Sequence, residues 1–365
     1  VTTKVIHVGT GFTGKSALKA ILADPALELV GWWVHSPEKV GVDAGTFCGM
    51  DPVGVKGTTD VAALMALKPD VLNYAANTIH REMDAVREMA SFLEAGVNVV
   101  TFALVSMIYP PAGPPEILKL LQDACRKGGT SFLPTGSEPG ILSMTIPGAL
   151  LSGAGTITSY REQQFVLDML EVYAVEEVLR ESMGFGKPSG TIPNRFQDGT
   201  TMKWWKPNIY CIANMLGVEI EDFNFELETC DLAAPIDSQI GRFEAGTIGG
   251  YYWQLQGLIG GAPAIVVEYI AYLHPSVPQP AHWPKCASDT VGSAIVYQIE
   301  GNPSFKNQIY LASPEPGGVN ASIPMTALHA TNAIPAVVAA PPGVYSSQDL
   351  PRYYARDVRF GSARS

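Results

Sequence analysis

Over the first 135 residues, short apolar runs alternate with amphipathic stretches. Residues 4–8, 27–34, 70–75, 97–101 and 131–133 are almost continuously apolar and read as buried strands. Between them, residues 15–23, 58–67, 79–95 and 114–127 read as helices. In the third of these, Met83, Val86, Met89, Phe92 and Leu93 recur at helical spacing, and Gly96 ends the run. Pro25 ends the first helix. Strand and helix alternate regularly, which predicts a doubly wound α/β fold with a parallel sheet.

The pattern changes after residue 135. TGSEPGILS at 135–143 reads as a turn entering a helix that runs to Leu151. Residues 157–165 and 166–169 are strand-like, and 175–183 helical. From 200 to 310 the chain is rich in alternating or β-favouring runs, clearest at 265–272, 293–299 and 307–312. Gly and Pro clusters separate them, which predicts a mostly antiparallel sheet in an α+β second domain. Gly246, Gly249 and Gly250 suggest a flexible corner before Tyr251-Tyr252-Trp253. Residues 324–340 are apolar and helical, interrupted by Pro335 and stopped by PPG at 341–343. The tail from 344 carries Arg352, Arg356, Arg359 and Arg364 and reads as a solvated or subunit-clasping extension.

The first strand–turn–helix contains GTGFTGKS at 9–16, which satisfies two phosphate-binding patterns. Gly9, Gly11 and Gly14 form G-x-G-x-x-G, the dinucleotide fingerprint, with Thr10, Phe12 and Thr13 between them. Gly9, Gly14, Lys15 and Ser16 form G-x-x-x-x-G-K-S, the NTP-binding loop. The NTP pattern also needs a strand ending in an Asp that holds Mg²⁺. Here the strands end in His35, Ala75-Ala76 and Thr101, and Asp70 begins its strand. The dinucleotide pattern has what it needs: a second strand at the distance of a βαβ unit. This favours a Rossmann domain. The end of that second strand selects the cofactor, since an acid there would hold the ribose 2′-hydroxyl of NAD. His35 and Ser36 stand there instead, with Lys39 three residues on, so Ser36 can bond a 2′-phosphate and Lys39 neutralise it. NADP(H) is favoured over NAD(H).

Composition narrows the function classes. A net charge of −11 argues against nucleic acid as a partner. No stretch is apolar for long enough to span a membrane, and no leader is expected ahead of the first strand. The cysteines at 48, 125, 211, 230 and 286 are scattered, as for reduced thiols in the cytoplasm. Histidines and cysteines show no metal-ligand spacing, so no metal is expected.

VGTGFTGKSAL (8–18), LELVGWWVHSPEKVGVDAG (27–45), NVVTFALVSMIYP (98–110), FLPTGSEPG (132–140), ESMGFGKP (181–188), FEAGTIGGYYWQLQG (243–257) and TNAIPAVVAAPPG (331–343) resemble the proteins with a dihydrodipicolinate-reductase-like N-terminal domain. Within these, the chain is most similar to the branch of the native amine dehydrogenases and 2,4-diaminopentanoate dehydrogenase. The resemblance implies a Rossmann domain over 1–145, rejoined by 322–365, and a substrate-binding and dimerisation domain over 146–321, hence a homodimer. It implies that Ala75, Ala76 and Asn77 line the ribose–nicotinamide side and that Thr101, Phe102 and Ala103 lie beside the nicotinamide. Asn332 would reach the carboxamide end or serve as a core amide.

The chain departs from this branch in one place. The amine dehydrogenases carry a glutamate shortly after the fifth strand, where this chain has Ala103-Leu104-Val105. An apolar pocket there, with Leu104 and Val105 in it, suits a hydrophobic small-molecule substrate. Amine chemistry needs a group that moves ammonium protons. Glu138 either supplies it or caps the following helix. Tyr160, Glu162 and Tyr173 are further cleft candidates, with Glu162 in the pocket and Tyr173 catalytic. Trp204, Trp205 and Tyr210 line a pocket or belong to the core, and His274 and His282 sit in Pro-rich loops. Three functions stay open: an NAD(P)H-dependent oxidoreductase acting on a hydrophobic carbonyl, imine or activated alkene; an amine dehydrogenase with a relocated carboxylate; and a non-catalytic dinucleotide sensor.

Overall fold

The computed structural model describes residues 2–78, 80–172, 175–287, 293–312 and 321–356. Tyr173, Arg359 and Arg364 lie outside them. The chain divides into two compact units, Val1–Ile141 with Ile323–Ser365, and Leu142–Ser322.

In the first unit, β1 (Thr3–Val8), α1 (Phe12–Ala23), β2 (Leu27–Trp33), α2 (Ala44–Cys48), β3 (Gly57–Thr58), α3 (Val61–Ala66), β4 (Val71–Tyr74), α4 (Glu82–Glu94), β5 (Asn98–Thr101), α5 (Pro115–Gly128) and β6 (Ser131–Pro134) follow in order. The strands are parallel and lie in the order β6-β5-β4-β1-β2-β3, that of a Rossmann domain. Successive residues of each strand feed opposite cores. Val5, Val71, Val100 and Leu133 pack on one face with Leu18 and Ile21 of α1. Ile6, Leu72, Val99 and Phe132 pack on the other with Met89 and Phe92 of α4 and Leu121 of α5. Burial on both faces explains why the strands lack polar alternation. The helices begin later or earlier than the periodicity suggested. Asp60 caps α3 through the Ala63 N–H at 3.0 Å, and α1 starts at Phe12 directly after the glycine turn.

The second unit contains α6 (Ile146–Leu151), β7 (Thr156–Val166), α7 (Met169–Val172), α8 (Asn194–Gln197), α9 (Thr200–Leu216), β8 (Asp222–Asp231), β9 (Ile236–Ser238), β10 (Gly241–Phe243), β11 (Ile248–Ile259), β12 (Ala262–Tyr272), β13 (Ser293–Asn302) and β14 (Phe305–Leu311). Six strands form one sheet in the order β14-β13-β7-β12-β11-β8, antiparallel except between β7 and β12.

Three sequence expectations are corrected in this unit. Residues 200–216 are a helix, not part of the β-rich region. Its Trp, Ile and Tyr residues favour strands and Pro207 lies inside it, yet Thr201, Trp205, Asn208 and Ile212 bury one helical face. Residues 167–169 leave the sheet, since β7 ends at Val166. Gly249 and Gly250 are no flexible corner but sit inside β11. A Cβ on Gly250 would lie 2.7 Å from both Cys230 Sγ and the Tyr272 ring, so glycine is required by packing.

The chain then returns to the first unit as α10 (Ser322–Ala339) and β15 (Gly343–Val344), which adds a seventh parallel strand beside β6. Pro335 does not interrupt α10. Ala330, Ala333, Ile334 and Val337 press onto the β-sheet face shared with α1, and this burial outweighs one lost backbone hydrogen bond. The tail as far as Arg356 is not a solvated extension either. The Arg356 guanidinium bonds both carboxylate oxygens of buried Asp24 and the Asn332 carbonyl at 3.2 Å. Removing it leaves a carboxylate shielded from water without its partner. Arg356→Ala is therefore expected to destabilise the protein by about 2 kcal/mol in urea unfolding, against under about 0.5 kcal/mol for a solvated arginine.

Candidate functional site

The glycine turn assigns each glycine a different task. Gly9 has φ +119°, and a Cβ there would lie 2.4 Å from the Ala75 carbonyl oxygen, so the turns after β1 and β4 meet backbone to backbone. A Cβ on Gly14 would lie 2.8 Å from Gly9, so that glycine lets α1 approach the turn. A Cβ on Gly11 would meet nothing within 4 Å. Gly11 is also the N-cap of α1, with no side-chain cap and no acid in the first turn. The positive end of α1 thus faces open space, with Thr10, Phe12 and Thr13 around it, and can receive an anion.

His7 braces this turn from below. Its ring is fully buried, with Nε2 2.9 Å from the Gly9 carbonyl oxygen and Nδ1 3.2 Å from the Asn73 side-chain amide. Burial lowers its pKa to about 4, against the weaker pull of those hydrogen bonds. Both neighbours present acceptor oxygens, Gly9 O and Asn73 Oδ1, so a neutral ring donates to one of them from whichever nitrogen carries its proton.

The NTP-loop pair is engaged elsewhere. The Ser16 hydroxyl donates to the Phe12 carbonyl at 3.1 Å, and the Lys15 ammonium stands 5.3 Å from the Phe47 ring centroid. Lys39, by contrast, belongs to the turn, for its Nζ donates to Thr10 Oγ1 at 2.7 Å. Beside it, Ser36 is partly exposed and His35 exposed, the latter with its ring 4.8 Å from Trp33 and Nε2 3.9 Å from Glu88.

The loops after β4 and β5 adjoin. The Thr101 hydroxyl donates to the Tyr74 carbonyl at 2.8 Å and the Thr78 hydroxyl to the Ala103 carbonyl at 2.7 Å. Ala75, Ala76 and Asn77 thus share the C-terminal edge of the sheet with Thr101, Phe102 and Ala103. An acid absent from the loop's own sequence reaches it from α4, where Glu82 accepts the Ser106 hydroxyl at 2.5 Å. Sequence reasoning missed Glu82, whose only signal was its place at the start of the helix after β4.

Next to this edge is a cavity of about 40 Å³. It is lined by Thr101, Phe102, Leu104, Val105 and Ile108 on one side, by residues 135–139 on another, and by Thr326. Among the described residues, Glu138 is its one ionisable lining residue, with Oε2 shielded from solvent. The backbone at Glu138 is extended (φ −145°, ψ 102°) and the chain turns at Gly140, φ +144°. The α10 residue in this lining is Thr326; Asn332 lies six residues further along and offers its carbonyl to Arg356.

The remaining candidates lie in the second unit. Glu162 is enclosed in the sheet, accepting bonds from Tyr160 Oη and Gln164 Nε2, each at 2.8 Å. Burial pushes its carboxyl up to about 7, while those two donors pull it down. Trp205 is core, edge-on to Trp253 at 5.3 Å, whereas Tyr210 is exposed against Phe223 and Trp204 is partly buried beside Trp205. His274 is partly buried and His282 exposed, bonded to Ser276 at 2.8 Å and Glu228 at 2.7 Å. Among the described residues, no His, Cys, Asp and Glu groups could hold a metal, and no helix is long and apolar enough to cross a membrane.

Comparison with known proteins agrees with this architecture. Residues 184–360 match the model of the 2,4-diaminopentanoate dehydrogenase C-terminal domain. The chain is 33% identical over 350 residues to an amine dehydrogenase of Streptomyces virginiae, covering 94% of each. It is 24% identical to a 2,4-diaminopentanoate dehydrogenase of Acetoanaerobium sticklandii, covering 95% of this chain and 93% of the relative. In fold it resembles the solved amine dehydrogenase of Mycobacterium smegmatis, with a TM-score of 0.75, 21% identity and 98% of each chain covered.

The brace under the turn is sensitive to acid. The His7 pKa is lowered on folding, so the unfolded chain binds the proton more tightly. The contribution is complete above the unfolded value of about 6.5 and falls as pH drops towards 4. At pH 4 the loss is about 3 kcal/mol. Stability in urea unfolding is expected to fall across this range, and His7→Gln to reduce the slope by the share of His7. Parallel profiles for the two proteins would remove His7 from the acid response.

Proposed function

The chain belongs to the amine dehydrogenase family, and we propose on that premise that it interconverts a hydrophobic amine and its carbonyl compound, with Glu138 moving the protons. It is an enzyme, an NAD(P)-dependent oxidoreductase. The observation that carries the finer reading is that Glu138 is, among the described residues, the one ionisable residue lining the cavity beside Phe102, Leu104 and Val105. Those side chains give the substrate an apolar wall.

The turn fits a dinucleotide. Open space over Gly11 and the uncapped start of α1 suit a pyrophosphate, and the loops after β4 and β5 suit the nicotinamide riboside. The bound cofactor supplies the hydride acceptor in amine oxidation and the donor in the reverse direction. The chain's own residues handle the rest. A primary amine is cationic near neutral pH, and its carbon releases hydride only when the nitrogen lone pair is free. The Glu138 carboxylate takes that N–H proton. Loss of hydride from carbon gives a C=N bond, water adds to the carbon, and ammonia leaves as the carbonyl forms. In reverse, Glu138 returns the proton to nitrogen. The apolar wall keeps bulk water from the reacting carbon until the C=N bond exists.

A second reading, reduction of a hydrophobic carbonyl, imine or activated alkene without ammonia, is favoured by the acid-free Ala103-Leu104-Val105. Lys39 supports NADP(H) over NAD(H), because its ammonium is already held at the turn by Thr10. A homodimer and a cytoplasmic setting complete the reading; the five unpaired cysteines suit a reducing compartment.

Glu138→Gln keeps the shape and removes the base. Reductive amination is expected to fall by about 100-fold or more, with NADPH binding within about twofold. Equal amination rates would remove Glu138 from the chemistry, and activity that persists without ammonia would favour the second reading. Lys39→Ala is expected to weaken NADPH by about 10- to 100-fold in fluorescence titration while NADH changes by under about threefold. An equal effect on both cofactors would refute the 2′-phosphate role.

A further inference from the structure

The turn that carries Glu138 is held from one side by α10 and the C-terminal segment. Thr326 and His329 lie three residues apart on α10, hence on one helical face. Thr326 Oγ1 is 2.5 Å from the Ser137 hydroxyl and accepts the Ser137 N–H at 3.3 Å. His329 reaches the same turn through Tyr353. The Tyr353 hydroxyl is 3.0 Å from His329 Nε2, with ring centroids 4.9 Å apart. On its other side it neighbours the buried Thr135 hydroxyl. Thr135 and Ser137 flank Gly136, where a Cβ would lie 3.1 Å from the Pro139 carbonyl oxygen and 3.4 Å from Thr326 Cγ2. Both neighbours of the glycine are thus addressed by hydroxyl or ring partners, and Glu138 follows at once.

The Tyr353 end of this arrangement is itself fixed. Three residues on, Arg356 is anchored to Asp24 and to the Asn332 carbonyl. Burial, aided by the charge of Arg352, lowers the His329 pKa to about 4, so the ring is neutral. Burial pushes the Tyr353 phenol up to about 12, so it keeps its proton. Both groups hold one protonation state across the neutral range.

We infer that Tyr353, backed by His329, is a positioning residue for Glu138, so that the C-terminal segment sets the placement of the proton-handling carboxylate. The inference rests on the function proposed above, although its geometry does not. Tyr353 does not line the cavity and acts only through the turn.

The experiment compares Tyr353→Phe with the parent in two measurements. The first is the titration of the Glu138 carboxyl in the protein without cofactor, followed by infrared spectroscopy and identified as the band lost in Glu138→Gln. The expected result is a midpoint moved by at least about half a pH unit; an unmoved midpoint overturns the inference. The second is amination kinetics, where kcat is expected to fall about tenfold, with the pH–rate limb displaced like the infrared midpoint and the KM for NADPH unchanged. This loss should vanish in the Glu138→Gln background. A full kcat loss persisting there would show that Tyr353 acts otherwise and overturn the inference. A moved infrared band together with fully active Glu138→Gln would retain the positioning role and refute the proposed function. Should Tyr353→Phe fold poorly, His329→Gln and His329→Leu replace it. The amide oxygen of Gln can accept the phenol and is expected to preserve the midpoint, which Leu is expected to move; equal midpoints in the two variants would overturn the inference.

Discussion

The backbone contact between Gly9 and Ala75 is the constraint on which the first unit depends. The Ala75 N–H donates to the Val8 carbonyl at 2.7 Å, and the next residue along, Gly9, has no room for a Cβ against Ala75. Two parallel strands therefore release their chains from a common point. Gly14 packs α1 onto that point, which aims the helix N-terminus over the edge of the sheet. Lys39 bonds Thr10 of this same turn. The buried His7–Gly9 bond stiffens the same place from within. A larger residue at position 9 would displace the helix, the cation and the loop after β4 together.

Much of this was legible in the chain because close packing and unusual φ leave glycines at fixed spacing. Lys15 and Ser16 mimic another motif, and strand-end chemistry argues against it; in the structure Ser16 bonds its own helix and Lys15 lies by Phe47. What stayed hidden depended on tertiary partners. The helix α9 is written in strand-favouring aromatics and contains a proline, and only burial of one face against β11 and β12 decides it. Arg356 looked like one of several tail cations because Asp24 lies 332 positions away. Thr326 and Tyr353 carried no motif at all.

The second unit shows how ionisable groups can be stored in a sheet. Glu162 shares one side of β7 with Tyr160 and Gln164, each within hydrogen-bond reach. On the opposite side of the sheet, buried Glu268 is met by Arg161 at 2.7 Å and by the Tyr252 hydroxyl. Neither carboxylate could be enclosed without those partners, and each pair ties specific residues together. Glu and Tyr are catalytic types in sequence, whereas here each of these residues bonds neighbours within its sheet.

That contrast bears on where a proton-moving carboxylate belongs. A group on a loop tip is placed only as well as the loop, whereas catalysis is sensitive to shifts of about 1 Å. After β5 this chain has small and apolar residues, and the nearby acid, Glu82, is occupied with Ser106 outside the cavity lining. After β6 the chain has a turn whose residues are held by β5, through Thr135 N–H to Thr101 at 2.8 Å, and by α10, through Ser137 to Thr326. On the proposed reading, Glu138 on this doubly anchored turn takes the place of a carboxylate on the short loop after β5. The requirement it inherits is that α10 and the tail stay docked, which the large apolar face of α10 and the Arg356–Asp24 pair provide. On that reading the C-terminal segment is part of the chemistry's framework, although none of its described residues after α10 lines the cavity.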